Sequence, residues 1–170
     1  MEERKVALIP RIVVSGAIGP MDYALLLTTS RSIFVLENAS RAELGAVLGG
    51  VIGAAVAEAV THKKCVDYGA ADPSALAEDE KNICVPHSSL KGLELKKNWS
   101  GYHIRFDYSD VAGKDRKVSG LLAMPEELEA VKRAEGVKRA AALEDYVRMA
   151  RQAIELAMPP GVAQFAELRV

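Results

Sequence analysis

Four side chains have the types and spacing of a tetrahedral metal site. His62 and Cys65 form His-x-x-Cys, and Cys84 and His87 form Cys-x-x-His after a gap of 18 residues. Thiolate and imidazole ligands in paired short motifs suit zinc. The competing reading is structural. Cys84 falls in an expected strand, His87 follows Pro86 at a bend, and His62 stands where a cation suits a helix C-terminus. On that reading no metal is bound. A Cys65–Cys84 disulfide is disfavoured, because two cysteines and no evident signal peptide point to a reducing compartment.

A second group is basic. Lys91, Lys96, Lys97, His103, Arg105, Lys114, Arg116 and Lys117 cluster on the later strands, with Trp99 at a turn beside them. They could hold an anionic surface. Glu94, Asp107, Asp110 and Asp115 are interspersed, which favours a solvated sheet face, with Trp99 packing on its own turn. Nucleophilic and phosphate chemistry have no motif. No glycine-rich loop carries a lysine, and neither a nucleophile elbow nor His-Glu-x-x-His occurs. "SGAIGP" (15–20) is too short and apolar to cradle phosphate. The expectation is a protein that is not an enzyme and has no cofactor.

A third feature is the uncharged run Leu44–Ala57, "LGAVLGGVIGAAVA". Its 14 residues end at Glu58. As a helix it spans about 21 Å, short of the roughly 30 Å hydrocarbon core. A span here would also put the strands before and after it on opposite sides of a bilayer. Gly45, Gly49, Gly53 and Ala57 fall four apart and form a smooth side, widened by Ala46 and Gly50. Leu44, Val47, Leu48 and Val51 lie opposite. Glycine costs about 1 kcal/mol of helix propensity relative to alanine. Gly45, Gly49, Gly50 and Gly53 together give up about 4 kcal/mol on that scale, so close packing must offset it. The favoured partner is the same helix in a second copy. The chain's own elements and a membrane surface are the alternatives.

The elements that carry these residues follow from periodicity. The chain has 170 residues, 49% hydrophobic and 26% charged, with 22 basic and 23 acidic side chains. Such a chain suits one domain with an appended helix, and near-neutrality gives no whole-chain case for nucleic acid. Cytoplasm is the expected compartment, with membrane association left open. Residues 6–14 read as a strand, broken at 16–20. "DYALLLTTSRSIFVLE" reads as two strands around Thr29–Arg31, apolar on both faces and hence covered on both. Ser40 and Glu43 form a capping box that opens a helix to about Thr61. Asp72 and Pro73 start one helical turn. From Asn82 the period is two: Leu93 and Leu95 face one way, Glu94 and Lys96 the other, and Tyr102, Ile104, Phe106 and Tyr108 point inward. Pro125 is expected as the first residue of a final helix. Its buried face is Val137, Ala141, Val147, Ala150, Ile154 and Ala157, it bends or divides at Gly136, and Pro159-Pro160-Gly161 stops it. Strands, an inserted helix, more strands and a terminal helix make an α+β domain with a curled sheet.

Two segments resemble a known family. "YALLLTTSRSIFV" and "ICVPHSSLKGLEL" look like the strand-turn-strand and strand-proline-bend-strand signatures of prokaryotic pleckstrin-homology-like (PH-like) domains, close in pattern to GRAM domains. Some members carry a glycine-rich helix between the two. The resemblance covers roughly residues 10–130. It implies a strongly bent antiparallel sheet, or partly open barrel, of about seven strands. The domain would run over 1–130 with the inserted helix at about 40–62, a helix at 125–158 and a tail at 159–170. It implies no catalysis, and binding of lipid headgroups, peptides or proteins. "SGAIGPMD", the first inter-strand loop, has no basic residue, so the phosphoinositide site of PH domains is not expected there. The combined expectation is a self-associating interaction module, a homo-oligomer acting through Gly45, Gly49, Gly53 and Ala57. Peripheral binding to an anionic membrane and a zinc-bound structural protein are the alternatives.

Overall fold

A computed structural model describes residues 3–16, 19–38, 66–160 and 166–169. The expected inserted helix, with Gly45, Gly49, Gly53 and Ala57, and the candidate ligands His62 and Cys65 lie outside the described residues. Three strands precede the insertion: β1 (Lys5–Ser15), β2 (Pro20–Thr28) and β3 (Arg31–Asn38). After it come α1 (Pro73–Glu78), β4 (Ile83–Pro86), a 3-10 turn (His87–Ser89), β5 (Leu90–Asn98), β6 (Gly101–Ser109) and β7 (Asp115–Leu122). The chain closes with α2 (Glu126–Ala134), α3 (Arg139–Ala157) and β8 (Ala166–Arg169). The α+β class holds. The sheet order is β4-β3-β2-β1-β7-β6-β5-β8. β1 to β7 pair antiparallel and the sheet is not closed; β8 adds to β5 in parallel, with Leu95 opposite Leu168.

β1 joins two meanders, and a bulge lets it do so. Ile9 faces Leu25 but Ile12 faces Tyr23, so three steps on β1 match two on β2. Pro10 and Arg11 occupy the irregularity. A bulge is where a strand tolerates proline, whose missing N–H would break a regular ladder. Beyond it β1 also pairs with β7, through Ile12, Val13 and Val14. The Arg11 amide points out of the ladder toward the Tyr146 hydroxyl on α3, 3.4 Å away. Burial pushes the Tyr146 phenol up to about 12, against the opposing pull of Arg11. Tyr146→Phe removes that partner from a half-buried backbone donor. Urea denaturation should show a loss of about 1 kcal/mol; unchanged stability would mean that the bond contributes nothing.

Both faces of β2 and β3 are covered, as their two-sided apolarity requires. On the inner face Phe34 meets Phe106 edge to face at 5.3 Å, so the two meanders touch through aromatic rings. The buried side of α3 packs on the same core, chiefly over β1 and β2. On the outer face Leu26, Ile33 and Val35 are buried beneath Val66, Tyr68, Leu76 and Ala77. Asn82 fastens this cover: its Oδ1 accepts from the Leu36 amide and its Nδ2 donates to the Leu76 carbonyl, both at 2.9 Å. Asp72 caps α1 by accepting from the Ser74 amide at 3.0 Å, with Pro73 in the first turn.

The terminal helix divides where expected and departs from expectation in other details. It is divided at Gly136, which adopts φ +75°. The amides of Gly136 and Val137 turn back to the carbonyls of Arg133 and Lys132, a left-handed helix stop that suits glycine. α3 restarts at Arg139, with Val147, Ala150, Ile154 and Ala157 buried as expected. Its buried positions are Ala142, Tyr146, Val147, Ala150, Ile154 and Ala157, whereas Ala141 is exposed and Val137 precedes the helix. Pro125 is the residue before α2 rather than its first helical residue, with extended ψ of 143°. β8 lies within the expected tail; nothing in its short composition marks it as a strand.

Candidate functional site

The only described members of the proposed zinc set, Cys84 and His87, are three residues apart but turn away from each other. Cys84 sits on β4 opposite Ile33, on the outer-face side of the sheet. The His87 ring reaches Ser32, which is opposite Val85 of the inner core, with Nε2 3.0 Å from the Ser32 hydroxyl. Among the described residues no group of three His, Cys, Asp or Glu side chains could hold a metal ion.

What the fold does assemble there is a polar knot that no local motif announces. The hydroxyls of Thr28 and Ser30 donate to Glu3 Oε1 at 2.6 and 2.7 Å. Arg31 joins them through Nε at 2.8 Å and pairs with Oε2 through Nη2 at 2.8 Å. Burial alone would raise the Glu3 carboxyl, but these hydrogen bonds and the guanidinium outweigh it and hold the group below its ordinary value. Burial likewise pushes the Cys84 thiol up, against the pull of the neighbouring Arg31, so it is not a poised thiolate. Glu3 is 28 positions from Arg31, and Ser32 is 55 from His87. Only the strand pairing brings them together.

Ser32 and His87 have the contact distance of a nucleophile and its base. Ser32 is 0% exposed and His87 3%, so a substrate carbonyl has no path to the hydroxyl. His87 Nδ1 is buried, and the Thr29 backbone lies close enough to favour the protonated ring slightly. Burial drives its pKa down to about 4, and the pull of Glu3 in the other direction is smaller. The pair therefore acts as a neutral, sealed polar contact between β3 and the turn after β4.

A shallow notch of about 100 Å³ lies between α2 and α3, lined by Met124, Glu129, Lys132, Arg133 and Arg139. Ligand pockets are commonly about 300–1,000 Å³. Arg133 and Arg139 both turn to Glu129, at 3.4 and 3.2 Å.

The basic strand face is largely neutralised. Lys91 pairs with Asp115, Lys96 with Glu94 at 2.8 Å, Arg105 with Asp107 at 2.8 Å and Arg116 with Asp110 at 2.8 Å. Lys97 lies 3.7 Å from Glu144 and 5.2 Å above the Tyr102 ring. This is the mixed, solvated face expected from the interspersed acids. Trp99 is different. It does not pack on its turn: it is 98% exposed at the apex between β5 and β6. The turn has no need of it, because Asn98 Oδ1 accepts from the Ser100 amide at 3.0 Å and hydroxyl at 2.9 Å. The Asn-Trp-Ser-Gly turn signal does not say which way the indole points.

Among the described residues no helix is long and apolar enough to cross a membrane. No family model, no curated protein and no solved structure matches the chain, so its function is argued from its own residues.

Proposed function

We propose that this chain is a non-enzymatic PH-like, GRAM-like module that works in assembly, joining a second copy through the smooth side formed by Gly45, Gly49, Gly53 and Ala57. One observation carries the reading. The described residues themselves supply cover for both faces of the early strands, α3 inside and Val66, Tyr68, Leu76 and Ala77 outside. A stripe of four small residues is then available for a partner that approaches closely. The antiparallel seven-stranded sheet with a C-terminal helix on its inner face is in keeping with the PH-like resemblance. The sealed Ser32–His87 pair and the small notch give no support to catalysis.

Sedimentation of the full chain at micromolar concentration tests this. The expected result is a dimer or larger species for the native sequence and a shift to monomer for Gly49→Leu, whose side chain would hold the helices apart. A monomeric native chain whose size and stability are unchanged by Gly49→Leu ends the proposal.

A further inference from the structure

β8 joins the sheet differently from the other strands. β1 to β7 pair antiparallel, whereas β8 lies parallel on β5 and covers only Leu93 to Lys96 of the strand Leu90–Asn98. The edge beneath it is regular. β5 and β6 keep one register from Leu93 to Asn98, and Trp99 and Ser100 alone close the hairpin. In a two-residue hairpin the residues that flank the loop exchange hydrogen bonds, and bonded and unbonded pairs alternate from there. Asn98, Lys96 and Glu94 therefore bond toward β6. Leu93, Leu95 and Lys97 turn their amides and carbonyls outward, to the edge where β8 lies. Lys97 extends past the residues that β8 pairs with. A regular edge of this kind is a template for another strand.

We propose that β8 is a cap on a self-complementary edge, and that β5 pairs with β5 of a second copy when β8 is released. The strand's own sequence supplies the match. Two copies of β5 placed antiparallel about Leu95 set Leu95 against Leu95 and Leu93 against Lys97, so each outward-turned residue meets another. The same register sets Glu94 against Lys96 twice. Within one chain these two side chains already pair at 2.8 Å. The symmetric arrangement extends that pair into a row of alternating charge, with no like charges opposed. A two-fold contact needs one patch that matches itself, and residues 93–97 provide it. β8 is the weaker partner for this edge. It brings only Ala166–Arg169, and in the parallel sense, which is slightly less stable per residue than antiparallel pairing. Its release leaves the ladders among β1 to β7 as they are. The contact uses no residue of the glycine-rich stripe and does not rest on that reading.

Sedimentation velocity in a Gly49→Leu background reads this contact apart from the glycine stripe. Two variants remove the cap. One ends the chain after Pro160; the other is full-length Glu167→Pro, which takes an amide out of the β8 ladder. Both should move toward dimer at micromolar concentration, relative to the intact chain in the same background. Variants that keep the native far-UV circular dichroism and the sedimentation of the intact chain overturn the proposal. If the shortened chain unfolds, Glu167→Pro decides. Loss of the fold in both would make β8 part of the core rather than a cap, and overturns it too. Charge exchange then identifies the surface. In the uncapped chain Lys96→Glu sets acid against acid and should weaken dimerisation about tenfold. Adding Glu94→Lys restores opposite charges and should recover it. Dimerisation indifferent to Lys96→Glu, or not recovered by Glu94→Lys, lies outside the β5 edge and overturns the assignment.

Discussion

Gly120→Val should unfold the domain or leave it marginal, with a loss of about 3 kcal/mol or more in urea denaturation. Gly120 lies on β7 between Val14 of β1 and Ile104 of β6. A Cβ there would stand 2.4 Å from Ile12 Cγ2, 3.0 Å from the Val13 carbonyl oxygen and 3.1 Å from Val14 Cγ2. Two of these neighbours are β-branched side chains and one is backbone, so none can swing aside cheaply. The site also matters for architecture. Only Ile12, Val13 and Val14 pair β1 with β7, and this short ladder is what makes two meanders one sheet. Gly92→Ala is the control, because its Cβ would meet only Asp107 side-chain atoms, at 3.5 Å and beyond. If Gly120→Val costs no more than that control, the junction is not tightly packed.

Acid should destabilise the protein in two separable windows. His87 titrates near pH 4 when folded and near 6.5 when not. A histidine depressed by folding favours the neutral form, so its contribution is fully present above pH 6.5 and is lost as pH falls toward 4. The unfolded chain binds the proton first, and the loss approaches about 3 kcal/mol at the bottom of the window. Glu3 acts lower. Its folded pKa lies below 4.5, so its contribution is present above that value and disappears as pH falls through the folded pKa. Stability curves measured from pH 7 to pH 3 should therefore bend below 6.5 and steepen again below 4.5. His87→Gln should flatten the first limb and keep the second. His103, also held below its ordinary value by partial burial and by Lys96, remains in that variant and sets the residual slope. A native limb identical to that of His87→Gln would show that the buried ring does not control acid stability.

Much of the scaffold was legible because its signals are local. The alternation of Tyr102, Ile104 and Phe106 marks β6 wherever it is placed. Asp72 with Pro73 starts a helical turn from its own side chain and φ, and Gly136 divides a helix by a backbone state that L residues avoid. The surplus of apolar residues in "YALLLTTSRSIFV" implies two covered faces before any cover is known. Local signals misled only at the start of α3: Ala141 is exposed and Ala142 and Tyr146 are buried instead, while Val147, Ala150, Ile154 and Ala157 are buried as expected.

The candidate chemistry was less legible, because spacing along the chain does not give direction in space. Cys84 and His87 have a ligand spacing, yet one belongs to the outer side of a strand and the other reaches an inner-face serine. Glu3 carries no motif, yet strand pairing brings Thr28, Ser30 and Arg31 to its carboxylate. Trp99 in a polar turn reads as packing, and only the internal bonding of Asn98 and Ser100 leaves its indole in water. By itself the sequence determined the antiparallel strands β1 to β7 and most of the faces they bury, but not β8. The tertiary structure alone decided which distant polar groups share a dry site and which aromatic is left outside, because long-range pairing and packing, rather than local propensity, choose a side chain's neighbours.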